Sequence, residues 1–392
     1  LSKKENKGYF LSLKALVVDM QLCCNPVQKA QKSQLNYNNQ SDRQPRKTPF
    51  LPRSFVMKIC TPLSAALLLT LMSQTYANDY TAPRTEWGHP ELRGVWNFSS
   101  SIPMQRPAAL GDRAFYTVEE VQAQEQARIQ REQAGIELTN IIGGTIGGYN
   151  DFWLETNPLA FNLRTSLIVE PANGRLPPVV PGAPMAYGGL GPDTPGERPV
   201  RFAVGGVGKA GPEDRGISER CLMGFNSVPP FEPSLYNNNL QIFQTEDHVV
   251  IFNEMVHEAR IIALDGSDHI PANITQWNGD SRGYWDGDTL VVETRNFNQK
   301  TQSFAGIGVS ADKLLIERFT RAGDDTVTYR YTVEDEKAFT EPVTAELPMF
   351  RMEGELYEYA CHEGNYGLVN VLQGARVEEG TWDYENNRAI QP

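Results

Sequence analysis

The stretch "HVVIFNEMVHEARIIAL", residues 248–264, decides how the rest of the chain is read. It holds Glu254 and His257 in an E-x-x-H spacing. On a helix that spacing sets a carboxylate and an imidazole on one face, as in carboxylate-bridged di-metal bundles. On a strand the two side chains fall on opposite faces, because strand side chains alternate with a period of two. Val, Ile and Phe fill the stretch and turn signals bound it, which favours β. The E-x-x-H is then no metal pair. One mostly apolar face carries Asn253, Met255, His257, Ala259, Ile261 and Ala263, and the other carries Glu254, Glu258 and Arg260. His257 is expected to point into apolar surroundings, with Asn253 as a polar neighbour. Two roles stay open for it: a core histidine donating to a backbone carbonyl, or a pocket histidine that positions a ligand or moves a proton near neutral pH. Glu254, Glu258 and Arg260 read as a solvated charged face. If a bulge breaks the strand, the parity flips and Glu254 becomes the inward group.

The segments around this stretch are also β. "LQIFQTEDHVVIFNE" (240–254) reads as a hairpin around Glu246-Asp247, and "RGYWDGDTLVVETRNF" (282–297) as one turning at Asp286-Gly287. "KLLIERFTRAGDDTVTYRYTVED" (313–335) is a third, with Val327, Tyr329, Tyr331 and Val333 on one face of its return strand. Consecutive hairpins with short turns describe an antiparallel meander, and closing it into a barrel removes its exposed edges. Before the meander lies one helix, "TVEEVQAQEQARIQREQAG" (117–135). Thr117 and Glu120 form a capping box, and a thin apolar face places the helix on the surface. Nearly half the residues from Pro171 to Pro212 are Pro or Gly, so residues 171–235 read as an irregular insertion rather than a second core. A short helix within "NYGLVNVLQGARVEE" (365–379) ends the chain. The fold expected is mostly β: a meander barrel with one surface helix, an insertion and a C-terminal helix.

The first 77 residues are read apart. "MKICTPLSAALLLTLMSQTYA", Met57–Ala77, has a Lys58 n-region, a short apolar run and a small residue at the cleavage position, as a secretory signal peptide does. Residues 1–56 then read as an upstream extension that the exported protein does not carry; a signal anchor with a cytoplasmic arm is the other reading. Cleavage leaves 78–392 as a single β-rich domain, periplasmic or secreted. Eleven of the 36 Lys and Arg but only three of the 48 Asp and Glu lie in residues 1–77, so the remainder carries a net charge of −20. Phosphate backbones and anionic lipid repel such a surface, which argues against nucleic-acid partners. The apolar run is too short for stable membrane insertion. Only Cys221 and Cys361 follow Ala77, and an even count in an exported protein suggests a disulfide.

Other candidate polar groups lie close by in sequence. Asp280 and Arg282 sit at a strand mouth, where an Arg–carboxylate pair is often structural. Glu293 shares a face with Val291, which hints at a buried carboxylate needing a partner. Cys361-His362 is a poor nucleophile pair, because adjacent strand residues point apart and a disulfide consumes the thiol. "IIGGTIGGYNDFW" (141–153) lacks the Lys and Ser/Thr of a phosphate loop, and the His residues have no metal-ligand spacing. No cofactor and no metal are expected.

The motifs "RTSLIVEPANGRLPP", "ERCL", "YNNNLQIFQT", "MVHEARIIALDG", "GDSRGYWDGDTLVVETRNF" and "YEYACHEGNYG" resemble a large group of exported bacterial proteins of unknown function. That resemblance covers most of the chain after Ala77 and implies no catalytic residue. Gly94-Val95-Trp96 and the meander are similar to lipocalin-like (calycin) barrels, which implies a closed barrel around a ligand. Three functions follow. The first is an exported barrel that binds a small, largely apolar or amphipathic molecule in its interior, with Asn253, His257, Arg282 and Glu293 as polar contacts. The second is a metal-independent isomerase, hydratase or hydrolase using His257 with Glu254 or Asp280. The third is an envelope interaction module with a filled core. A pocket separates the third from the others, and a histidine bonded to a buried carboxylate favours the second.

Overall fold

Short strands with one apolar face leave two unpaired edges on any open sheet, and this chain removes them by closure. The computed structural model describes residues 80–133, 155, 162–183, 195, 206–299, 303–304, 307–308, 310, 312–383 and 385–390. The expected signal peptide (57–77), the Gly-rich run 141–153 and Gly135 lie outside the described residues. The elements are β1 (Gly94–Asn97), α1 (Val118–Gln133), β2 (Ile168–Glu170), β3 (Asn239–Gln244), β4 (His248–Asn253), β5 (Ala259–Ala263), β6 (Asp280–Asp286) and β7 (Thr289–Arg295). They continue with β8 (Ser303–Phe304), β9 (Ile307–Gly308), β10 (Leu314–Gly323), β11 (Thr326–Glu334), β12 (Val343–Met352), α2 (Tyr366–Glu378), β13 (Trp382–Asp383) and β14 (Arg388–Ala389). Strands β1, β3, β4, β5, β6, β7, β10, β11 and β12 pair in that order, and β12 pairs back to β1. The short β2 adds to β12.

Nine is an odd number, so a closed ring cannot be antiparallel throughout; one neighbouring pair must run the same way. That pair is β5–β6, which meets only at Ala263↔Arg282. The other seams are antiparallel, from β3–β4 to β11–β12 and the closing β1–β12. At Gly283 the seam is tight: a Cβ there would lie 2.8 Å from Ile262 Cγ2 and from Leu264 Cδ2. A glycine inside a strand marks such close approach.

The interior holds large side chains. Trp96, Phe98, Phe319, Tyr329 and Tyr331 are fully buried among the aliphatic residues of the inner face. Phe231, from the insertion, enters the same cluster against Phe98 and Tyr329, with ring centroids 5.5 and 5.7 Å apart. The Gly94-x-Trp96 motif has a local cause. Arg321 and Arg351 lie over Trp96, 4.9 and 4.7 Å from the ring centroid. Gly94 has φ +141°, a conformation that suits glycine, and a Cβ on it would stand 2.7 Å from Arg351 Nη1 and push the guanidinium aside.

The capping box is present: Thr117 N–H donates to Glu120, and Glu120 N–H donates to the Thr117 hydroxyl at 3.2 Å. Among the described residues the insertion holds no named strand; it has one 3-10 turn, Pro212–Asp214, and a small apolar cluster of Ile217, Met223 and Val228. The Cys221–Cys361 disulfide is formed, with Cα atoms 5.7 Å apart, and ties the insertion to the segment before α2. Asn365 caps α2 and also donates to Glu219 O.

The decisive stretch is not one strand. β4 and β5 pair with each other, Val250 opposite Ile261, across a 3-10 turn at Met255–His257. Val256 there has φ +59°, rare for a β-branched residue. The expected face is therefore correct only before the turn. Asn253 and Met255 are buried, but beyond the turn Arg260 and Ile262 face inward, while Ala259 and Ile261 face out. Glu254 is buried as well, so neither it nor Arg260 belongs to a solvated face.

Candidate functional site

The parallel β5–β6 seam forces a crossover, residues 264–279, which folds back over the outer wall of the barrel. Gly266 at φ +71° reverses the chain, and Asp265 Oδ1 accepts from Ser267 N–H at 2.9 Å. The turn delivers His269 onto β6. His269 Nδ1 lies 2.8 Å from Asp280 Oδ2, which also accepts from Ile270 N–H at 3.1 Å. Arg282 Nη1 donates to Asp280 Oδ1 at 2.8 Å and to Ser281 O at 2.9 Å, and Arg282 Nε donates to Asp268 O at 3.2 Å. Asp280 is buried and holds a guanidinium on one oxygen and an imidazole on the other. An ionised carboxylate only accepts, so the imidazole Nδ1–H is the donor of that bond.

These groups border an open cleft of about 240 Å³ lined by Gly266, Ser267, Asp268, His269, Arg282 and Glu293, with Gly283 and Tyr284 completing it. Glu293 stands opposite Arg282 in the β6–β7 register, on the outer wall. Among the described residues its carboxylate has no ion-pair or hydrogen-bond partner. Three residues singled out in the sequence, Asp280, Arg282 and Glu293, therefore converge here. They do so outside the barrel, not in the interior where Arg282 and Glu293 were expected to meet a ligand. His269 was missed. Its signal was the "DGSDHIP" turn just ahead of Asp280, which only the crossover brings together.

Asn253 and Glu254 lie elsewhere, in the β4–β5 turn. Asn253 Oδ1 accepts from Met255 N–H at 3.1 Å, while its buried Nδ2 has no partner among the described residues. Glu254 accepts from Asn239 Nδ2 at 2.7 Å, within a network of Asn97, Asn238, Asn239 and Glu155. Burial pushes the Glu254 carboxyl above its ordinary range; hydrogen bonds from Asn239 and Asn237 oppose this, and the nearby Glu155 charge adds to it. The backbone of His257 belongs to the same turn, and its side chain lies outside the described residues.

A third polar group sits inside the barrel. Arg260 donates to both oxygens of Glu317, at 2.6 and 3.1 Å, and Tyr329 donates to Glu317 at 2.7 Å. The Tyr329 hydroxyl in turn accepts from Phe231 N–H at 3.2 Å. Burial, then the Glu317 charge, holds the Tyr329 phenol well above its usual range. Among the described residues no three His, Cys, Asp or Glu gather to hold a metal ion. No described helix is long and apolar enough to cross a membrane.

No family model and no curated protein matches this chain. Among solved structures it is similar to a crystal structure described as a secretary abundant heat soluble (SAHS) protein from Ramazzottius varieornatus. That similarity is 15% in identity, with a TM-score of 0.20, over 29% of this chain and 70% of the other. The barrel is accordingly defined by its own strand pairing, which closes β12 onto β1.

Proposed function

We propose that this is an exported β-barrel protein that binds a small amphipathic molecule, and that recognition takes place in the outer cleft between the crossover and strands β6 and β7. The observation that carries the reading is the convergence of His269, Arg282, Glu293 and Tyr284 on one cleft, with His269 and Arg282 held by the buried Asp280. Pockets use a few fixed polar groups in this way to orient a ligand. The interior is a poorer place for one, because Trp96, Phe98, Phe231, Tyr329 and Tyr331 occupy it. The Cys221–Cys361 disulfide is consistent with an oxidising compartment, and so supports export. The test is mass spectrometry of molecules that co-purify with the exported protein, compared with Glu293→Gln and Tyr284→Ala. Both changes lie on the surface and should release the molecule without moving the melting temperature. Retention by both variants refutes the cleft.

The His269–Asp280 pair favours a second reading, a metal-independent enzyme in which His269 Nε2 exchanges a proton with substrate. His269→Gln separates the two: binding kept with turnover lost supports the enzyme, and binding lost with no turnover in either protein supports the binder.

A further inference from the structure

The cleft continues onto the barrel wall. Strand register places Phe243, Val250 and Ile261 side by side in one cross-strand row on the outside of β3, β4 and β5. Ile261 is 64% exposed and Phe243 46%, high values for two large apolar side chains in one row. The next outward row, one step along the strands, is His248, Ala263, Arg282 and Glu293. Successive rows on one face lie about 7 Å apart, and three strands span about 10 Å. An apolar strip and the polar cleft are thus adjacent parts of one surface. Contiguous exposed apolar area beside polar groups marks an interaction site.

The charges of the cleft choose the head group. Asp280 is matched by Arg282 and His269. Arg282 is in turn committed through Nη1 and Nε. Glu293 and the Asp268 side chain have no ion-pair or hydrogen-bond partner among the described residues. The unmatched charge at the mouth is therefore negative. Tyr284, half exposed in the same cleft, offers a ring face of the kind that attracts a cation.

We infer that the ligand is an amphipathic cation: an ammonium head held between Glu293, Asp268 and Tyr284, with an alkyl or aryl tail reaching the near end of the apolar strip at Ile261. This rests on the cleft being the binding site and adds the chemistry of its ligand. The test titrates the full exported chain with octyltrimethylammonium below its micelle concentration, against octyl sulfate and tetramethylammonium. Octyltrimethylammonium should bind at least about tenfold more tightly than the sulfate, given the unmatched carboxylates. Ile261→Ser should weaken it about tenfold and leave tetramethylammonium unaffected, because only the tail loses apolar contact. Glu293→Gln should weaken both cations. Equal binding of the sulfate, no effect of Ile261→Ser, or no binding of the octyl cation overturns the inference. So does a dimer, seen at high concentration, that Ile261→Ser dissolves, since the strip would then belong to a second copy. The cleft reading survives any of these if Glu293→Gln or Tyr284→Ala still releases the co-purifying molecule.

Discussion

Changing Glu317 to Gln should be among the most damaging single substitutions in this protein. The side chain of Glu317 is fully buried and that of Arg260 is 5% exposed, and the two share a bidentate contact inside the barrel. Gln keeps the volume but leaves the guanidinium without a counter-charge. Breaking one side of a buried pair costs roughly 3–5 kcal/mol, because the remaining charge stays desolvated. Removing both charges is a different perturbation. In Arg260→Met/Glu317→Leu the remaining defect is the Tyr329 hydroxyl, which loses its acceptor while still accepting from Phe231 N–H. An unsatisfied buried hydroxyl costs about 1–3 kcal/mol, so the double variant should be more stable than the single. Urea unfolding at pH 7 with the disulfide intact, followed by two probes to establish two-state behaviour, gives the comparison. If Glu317→Gln costs less than about 1 kcal/mol, or if the double variant loses as much as both single changes added, the charge is not isolated as described.

Three further outcomes follow from the same packing. Gly94→Ala should lower the melting temperature, at a cost of about 1–3 kcal/mol, by straining a backbone at φ +141° and driving Arg351 off Trp96; an unchanged melting temperature would remove the stated reason for the glycine. Replacing Cys221 and Cys361 by Ser should cost roughly 4–5 kcal/mol in the chain-entropy account, given the 140-residue separation, and speed hydrogen exchange in α2. Unchanged exchange would show that α2 is held without the bridge. Glu254 has a folded pKa raised above the ordinary 4.5, so the native state binds more protons than the unfolded chain between those two values. Stability should therefore fall as pH rises through that window, and the Glu254→Gln variant should show a flatter pH–stability curve.

The β class and most hairpins were legible in the sequence because their signals are local. The hairpin expected to turn at Asp286-Gly287 forms one residue along, with Gly287-Asp288 as its two-residue loop and Gly287 at φ +59°. The alternation of Val327, Tyr329, Tyr331 and Val333 puts all four on the buried face. The capping box at Thr117 and Glu120, and the Cys221–Cys361 pairing once export is assumed, were readable for the same reason.

The break at 254–257 left no such mark. It contains no Gly or Pro, and Val256 takes a positive φ because the surroundings fix it: Glu254 N–H donates to Asn239 O, and Asn253 N–H to Glu258 O. That turn reversed the parity of every residue after it, which moved Arg260 into the core and Ile261 onto the wall. The candidate cleft depended on tertiary structure in the same way. Asp280, Arg282 and Glu293 could be named from residue type and position, but which wall they occupy is set by closure of the ring. A nine-strand ring must contain a parallel seam, and the crossover that this seam requires carries His269 across to Asp280. Sequence periodicity determines which residues share a face; the side that face turns to, and the neighbours it meets, are decided only when distant strands pair.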